Sequence, residues 1–181
     1  MLKNLLIGFV SAMSAFLTYV WMQPAVFNVA RSTTIAAPPA AGFPHVNDVK
    51  KFQAWSPWAR KDPAAKVTFS SLTSGEGASY AWSGNKDVGE GKMTIVESKP
   101  NERVAVRLDF IKPFTGTSGA VFALQPAGEG TSITWTLSGE NGFFERAAMM
   151  MLGIKMEEMV GTDYEKGLAS LKTLVEAAPK N

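Results

Sequence analysis

Thr131-Ser132-Ile133-Thr134-Trp135-Thr136-Leu137-Ser138 alternates throughout: Ile133, Trp135 and Leu137 fall on one side of an extended chain and the hydroxyl residues on the other. Side chains on a strand change sides at every residue, so the pattern describes an antiparallel sheet with one covered and one wet face. Upstream the pattern recurs. Val104, Val106, Leu108 and Phe110 oppose Arg103, Arg107 and Asp109, Tyr80 and Trp82 share a side, and so do Met93 and Ile95. Turn signals separate these runs: Gly84-Asn85-Lys86-Asp87, Pro100-Asn101, Pro113 and Gly128-Glu129-Gly130. Strands are expected at 67–70, 79–83, 89–97, 103–111, 117–124 and 131–138. An earlier one is expected over 27–36, where Phe27, Val29, Arg31, Thr33 and Ile35 alternate.

Between the first strand and the rest, Pro38-Pro39 breaks the extended chain. Short helices follow over 40–46 and 47–55, the second with an Asn or Asp cap, then a loop bracketed by Pro57 and Pro63. After the last strand the period changes. Leu152, Met156, Met159, Val160, Tyr164, Leu168, Leu171 and Val175 recur at three- and four-residue spacing, which predicts one long helix over 152–177 that covers the sheet. The fold class is α+β, a curved antiparallel sheet of about seven strands around a long C-terminal helix.

The other end of the chain is apolar. No charged side chain occurs from Asn4 to Ala30, and Leu5 to Met22 is nearly all apolar. About 20 such residues cross a hydrocarbon layer of about 30 Å. Tyr19 and Trp21 suit an interfacial aromatic belt, whereas a cleavage site for a secretory leader would need small residues there. The division expected is a transmembrane anchor at 1–24 and one domain at 25–181. Lys3 and the free amine on the short side favour an inside N-terminus, with the domain on the outer, periplasmic face of a bacterial cell.

Composition narrows the function. The chain has 18 Lys and Arg, 16 Asp and Glu, and a formal charge of +2, with no basic cluster, which argues against nucleic acid. With no cysteine, thiolate ligands and a thiol nucleophile are excluded. His45 is the only histidine and reads as a surface or capping residue. No metal motif, phosphate loop or Gly-x-Ser-x-Gly occurs, so no metal, cofactor or catalytic residue is assigned. Gly89-Glu90-Gly91 and Gly75-Glu76-Gly77 read as strand bends or turns. Gly153, Gly161 and Gly167 interrupt the helical pattern at about 1 kcal/mol each relative to Ala, which suggests close backbone approach or a kink, with a frayed or broken first turn near Gly153 as the alternative.

Trp55-Ser56-Pro57-Trp58 with Asp62-Pro63, Gly75-Glu76-Gly77-Ala78-Ser79-Tyr80-Ala81-Trp82-Ser83-Gly84-Asn85, Gly89-Glu90-Gly91-Lys92-Met93-Thr94-Ile95 and Asp163-Tyr164-Glu165-Lys166-Gly167-Leu168 carry a resemblance. With the element order, they make the chain similar to the START-like, or SRPBCC, superfamily of helix-grip proteins. The nearer likeness is to its bacterial polyketide cyclase/dehydrase and lipid-transport group. The resemblance implies a cavity between sheet and helix that holds an apolar ligand, a hydrophobic small molecule or lipid.

The residues permit that cavity on their own terms. Trp55, Trp58, Tyr80, Trp82, Phe110, Phe122 and Trp135 supply large faces, and Met93, Met156 and Met159 adaptable ones; each of them can equally fill a core. A pocket of about 300 Å³ is expected among Tyr80, Trp82, Phe110, Phe122, Trp135 and Met156. Arg31 and Glu140 are candidate polar anchors; a sheet-edge salt bridge and a plain turn are their alternatives. The function expected is membrane-anchored binding of a hydrophobic ligand. The alternative is a cyclase or dehydratase-type enzyme acting on a polyketide-like substrate, and a third reading is a partner-binding domain. A lone histidine without paired carboxylates favours the binder.

Overall fold

The computed structural model describes residues 2–113 and 115–178. In chain order the elements are α1 (Leu2–Met22), β1 (Val26–Ile35), α2 (Pro39–Asn47), α3 (Val49–Trp55), α4 (Pro57–Lys61), β2 (Lys66–Phe69), β3 (Ser79–Ser83), β4 (Glu90–Lys99), β5 (Arg103–Lys112), β6 (Gly116–Ala127), β7 (Gly130–Glu140), α5 (Phe143–Met151) and α6 (Met156–Glu176). The strands form one antiparallel sheet in the order β1-β7-β6-β5-β4-β3-β2. The sheet curves around the helices as the alternation requires, with β1 and β2 as its edges.

Helix α6 lies along the edge strand β1 and runs in its direction. Arg31 reaches Glu157 and Glu165, the Lys172 ammonium donates to the Thr34 carbonyl at 2.5 Å, and the Ala36 N–H donates to Glu176 at 2.7 Å. An edge strand is a template for unwanted pairing, and the helix covers this one. Two glycines let α6 come close. A Cβ on Gly161 would overlap the Arg31 guanidinium at 2.1 Å, and one on Gly167 would lie 2.9 Å from the Trp135 ring and 3.2 Å from Pro57.

Two expectations are corrected here. The loop between Pro57 and Pro63 contains α4, with Pro57 at the first helical position after Ser56, where its missing N–H has no intrahelical partner to lose. The helix expected over 152–177 begins only at Met156. Ahead of it, α5 ends in a left-handed Gly153 (φ 65°), whose N–H donates to Met150 while that of Ile154 donates to Met149. That hydrogen-bond pattern terminates a helix, so Gly153 marks a break and not a kink.

Across the inner face of the sheet the register sets up rows of side chains. At the end far from α1, the row Val104–Phe122–Trp135–Arg31 is flanked by Leu124 and Ile133. These apolar residues are all at least 97 % withdrawn from solvent, and Val46, Val49, Phe52 and Trp55 of the short helices close over them with Leu168, Leu171 and Val175 of α6.

Candidate functional site

Aromatic rings fill the far half of the inner face. Trp135 lies at their centre, stacked on Tyr164 of α6 with centroids 3.7 Å apart and planes at 12°. Phe122 is tilted against it at 4.9 Å, and Trp55, Trp58 and Phe52 meet it edge-on at 5.4, 5.7 and 6.0 Å. Such pairs are worth roughly 0.5–1.5 kcal/mol each beyond the area they bury. Within this cluster the Trp135 indole N–H is buried without a hydrogen-bond partner. Burial pushes the Tyr164 and Tyr80 hydroxyls up, so both stay protonated.

Toward the end where α1 joins, the same strands carry small residues. One inner row reads Trp82–Gly91–Phe110–Gly116, and the next reads Tyr80–Met93–Leu108–Ser118–Gly139–Phe27. Trp82 lies across Gly91, where a Cβ would meet its ring at 2.6 Å, and touches Phe110 edge-on at 6.1 Å. Its indole N–H donates to the Val88 carbonyl, which fixes the ring. A Cβ on Gly116 would meet nothing within 4 Å. Trp82 and Leu108 are half-buried and Phe110 is 37 % exposed, as are residues at the rim of an unfilled face.

The six residues expected around one pocket are thus divided between the halves. Tyr80, Phe122 and Trp135 are buried in the ring cluster, as are Trp55 and, on the sheet, Met93. Trp58, Trp82 and Met156 are half-buried, whereas Phe110 and Met159 are exposed. Two hollows among the described residues lie on the sheet away from α6. One, of about 480 Å³, is an open depression lined by Val96, Arg107, Thr117, Ser138 and Glu140 among others; the second, about 130 Å³, lies beside Trp82 and Ile111. Glu140 therefore sits at the open depression and not at a mouth under the helix, because it shares the outward phase of Ser138 on β7.

Arg31 takes the salt-bridge alternative. Its Nη1 donates to Glu157 at 2.5 Å and to the Ala30 carbonyl, and its Nε donates to Glu165 at 2.6 Å. These carboxylates hold its pKa above the ordinary value. His45 is half-buried on α2, where burial and the nearby Lys51 depress its pKa; its carbonyl accepts from Trp55.

Some residues escaped the sequence reading. Asp163 is buried and paired with the Lys61 ammonium at 2.5 Å, which ties α4 to α6 beside Trp58 and Tyr164. Nothing in its spacing distinguishes it from a solvent-facing helix residue. Gly116, Ser118 and Gly139 also went unremarked, although their inward phase follows from the alternation that placed Phe122 and Leu137.

The family model described as polyketide cyclase/dehydrase and lipid transport matches residues 26–176. Among solved structures, protein CV1439 from Chromobacterium violaceum superposes with a TM-score of 0.60 at 16% identity, covering 86% of this chain and 100% of that one. Protein MLL2253 from Mesorhizobium loti does so with a TM-score of 0.60 at 16% identity over 85% and 100%. Ara h 8.0201 follows with a TM-score of 0.58 at 13% identity over 84% and 99%. At these identities the likeness establishes the helix-grip fold and no more. No curated protein matches the chain.

Proposed function

The chain belongs to the polyketide cyclase/dehydrase and lipid transport family, and from that premise we propose that it is a membrane-anchored binder of a hydrophobic small molecule or lipid. The observation that carries this reading is the unfilled half of the sheet's inner face. There Gly116, where a Cβ would meet nothing within 4 Å, and the small Ser118 leave room beside Leu108 and Phe110, while the Trp82 and Phe27 rings lie across Gly91 and Gly139. An apolar ligand laid on that face removes both its own carbon and those rings from water, at about 0.8 kcal/mol per buried methylene. Met156 and Val160, half-buried on the first turns of α6, supply an adaptable wall.

The side chains of that face are apolar or bear a hydroxyl, which suits binding better than acid–base turnover. The anchor reading rests on α1, a 21-residue helix long and apolar enough to cross a membrane. With Lys3 on its short side, we place the N-terminus inside and the domain outside.

Native mass spectrometry of the full chain released from detergent micelles tests the binding. The expected result is an adduct of lipid-like mass that organic extraction recovers unchanged. Bare protein across several detergents, or extracted material chemically altered on renewed incubation with the protein, overturns the binder.

A further inference from the structure

Most of the large apolar side chains left exposed on the domain gather at one end. Val26 begins β1, Phe110 and Ile111 end β5, and Phe144, Met151, Leu152, Ile154 and Met159 follow on α5 and the turn into α6. The register Val26↔Glu140, Ser118↔Gly139 and Phe110↔Gly116 shows that the strand ends concerned lie together. Only Leu72, in the loop between β2 and β3, and Val96, on β4, lie outside this set among the described residues of the domain.

Helix α5 turns its apolar stripe outward. Phe144, Ala148, Met151 and Leu152 recur at spacings of four, three and one, the period of one helix face, and all are exposed; Phe144 is 84 % and Met151 76 % exposed. Soluble surfaces seldom present such a stripe unless something covers it.

The attachment of α1 says what covers it. Residues Phe16, Val20 and Gln23, spaced by four and three, are the positions near the end of α1 withdrawn from solvent, and α5 packs against α1. The Asn141 N–H, just before α5, donates to the Ala25 carbonyl, just after α1, at 2.9 Å. The last turns of α1 and the whole of α5 therefore stand at one level. If α5 stood clear of a membrane, only Leu5 to Ala15 would remain to cross it, about 17 Å of helix against a hydrocarbon layer of about 30 Å. For α1 to span, α5 must go down to the interface with it.

We propose that α5 and the Met151–Met159 corner form a second, interfacial membrane contact, with the stripe Phe144–Ala148–Met151–Leu152 set among the lipid headgroups. This inference rests on the anchor reading of α1. Its consequence for the binding site is directional. The open half of the inner face ends at the same strand ends, at Phe110 and Gly116, so a lipid can pass between bilayer and sheet without crossing bulk water.

The absence of native cysteine allows the test in the full chain. Single cysteines replace Val10, Phe144, Ala148, Leu152 and Glu129, each carries an environment-sensitive fluorophore, and each protein is reconstituted in phosphatidylcholine vesicles with or without spin-labelled lipid. All five sites are exposed in the fold, and far-UV circular dichroism checks each variant. The expected result is a blue shift and lipid-dependent loss of fluorescence at 10, 144, 148 and 152, and neither at 129. Quenching at 10 with water-like spectra at 144, 148 and 152 overturns the interfacial contact and leaves the anchor standing. No quenching at 10 overturns the anchor itself and this inference with it. A blue shift at 144 and 152 that spin-labelled lipid does not quench means that a second copy or another protein covers the stripe, and overturns the inference.

Discussion

The half of the sheet that carries Phe122 and Trp135 and the half that carries Gly116 and Ser118 are made by the same strands in the same register. Along β6 the inward residues run Gly116, Ser118, Ala120, Phe122 and Leu124, from no side chain to large ones within nine residues. The large end is covered by α2, α3 and α6 and filled with stacked rings; at the small end Phe110 is left partly in solvent. Side-chain size along one strand thus sorts a filled region from an open one, where we propose that the ligand lies. Filled space holds the fold together, and the unfilled space is where a ligand can contribute.

The largest test removes the centre of the packed half. Trp135→Ala takes away a ring in contact with Phe52, Trp55, Trp58, Phe122 and Tyr164, and should lower unfolding free energy by about 3–5 kcal/mol. Phe110→Ala, in the open half, should cost less than about 1 kcal/mol because the ring is already partly in water. Urea unfolding of the full chain in mild detergent, followed by far-UV circular dichroism, reads both. Equal losses would abolish the distinction between the halves.

A second test fills the open half. Gly116→Trp projects a ring where a Cβ meets nothing within 4 Å, so stability should move by no more than about 0.5 kcal/mol. Binding of a fluorescent fatty acid should weaken at least about ten-fold, equivalent to about 1.4 kcal/mol. Unchanged affinity would mean that the ligand sits elsewhere, the open depression by Arg107 and Glu140 being the next place to probe.

The same substitution in both halves gives a smaller contrast. Gly167→Ala forces a methyl to 2.9 Å from the Trp135 ring and 3.2 Å from Pro57. Overpacking of about 1–3 kcal/mol against a helix-propensity gain of about 1 leaves a net loss near 1 kcal/mol. Gly116→Ala meets no atom and relieves an unfavourable glycine in a strand, so it should be neutral or slightly stabilising. A stabilising Gly167→Ala would show that α6 can lift from Trp135.

How much of this was legible before any coordinates follows the same division. Alternation placed Trp135, Phe122 and Ile133 on the covered face, and they are covered, because a period of two is a property of the strand itself. It also placed Tyr80, Trp82 and Phe110 on that face, but phase cannot say which inward residues meet a helix and which are left uncovered. That depends on where α6 crosses the sheet, which Gly161 and Gly167 settle through contacts with Arg31 and Pro57 far away in sequence. The apolar period over 152–177 ran through the true helix start because Leu152 is apolar for a reason other than the core: it is 72 % exposed. An apolar residue reads the same whether it is buried or exposed, which is why the expected helix takes in Leu152 and the turn ahead of Met156, while α5 carries no expectation at all.

The smallest expected effect is a pH dependence confined to the packed half. His45 is the only histidine, so its side chain alone has an ordinary pKa near 6.5. It sits on α2, where burial depresses its pKa, with Lys51 adding to the depression and Asp48 opposing it. The unfolded chain then binds a proton more readily than the folded one. The His45 contribution is fully present above the unfolded value near 6.5 and is lost as pH falls through the lower folded value. Stability should therefore decline gently as pH drops below about 6.5, and His45→Gln should flatten that slope. Because the His45 carbonyl accepts the Trp55 indole N–H, the loosening should reach the ring cluster first, as a change in near-ultraviolet circular dichroism. With the ligand in the open half, as proposed, its affinity should stay level over the same range. If affinity falls in step with the near-ultraviolet signal, the two halves are coupled and the division drawn from their packing does not extend to function.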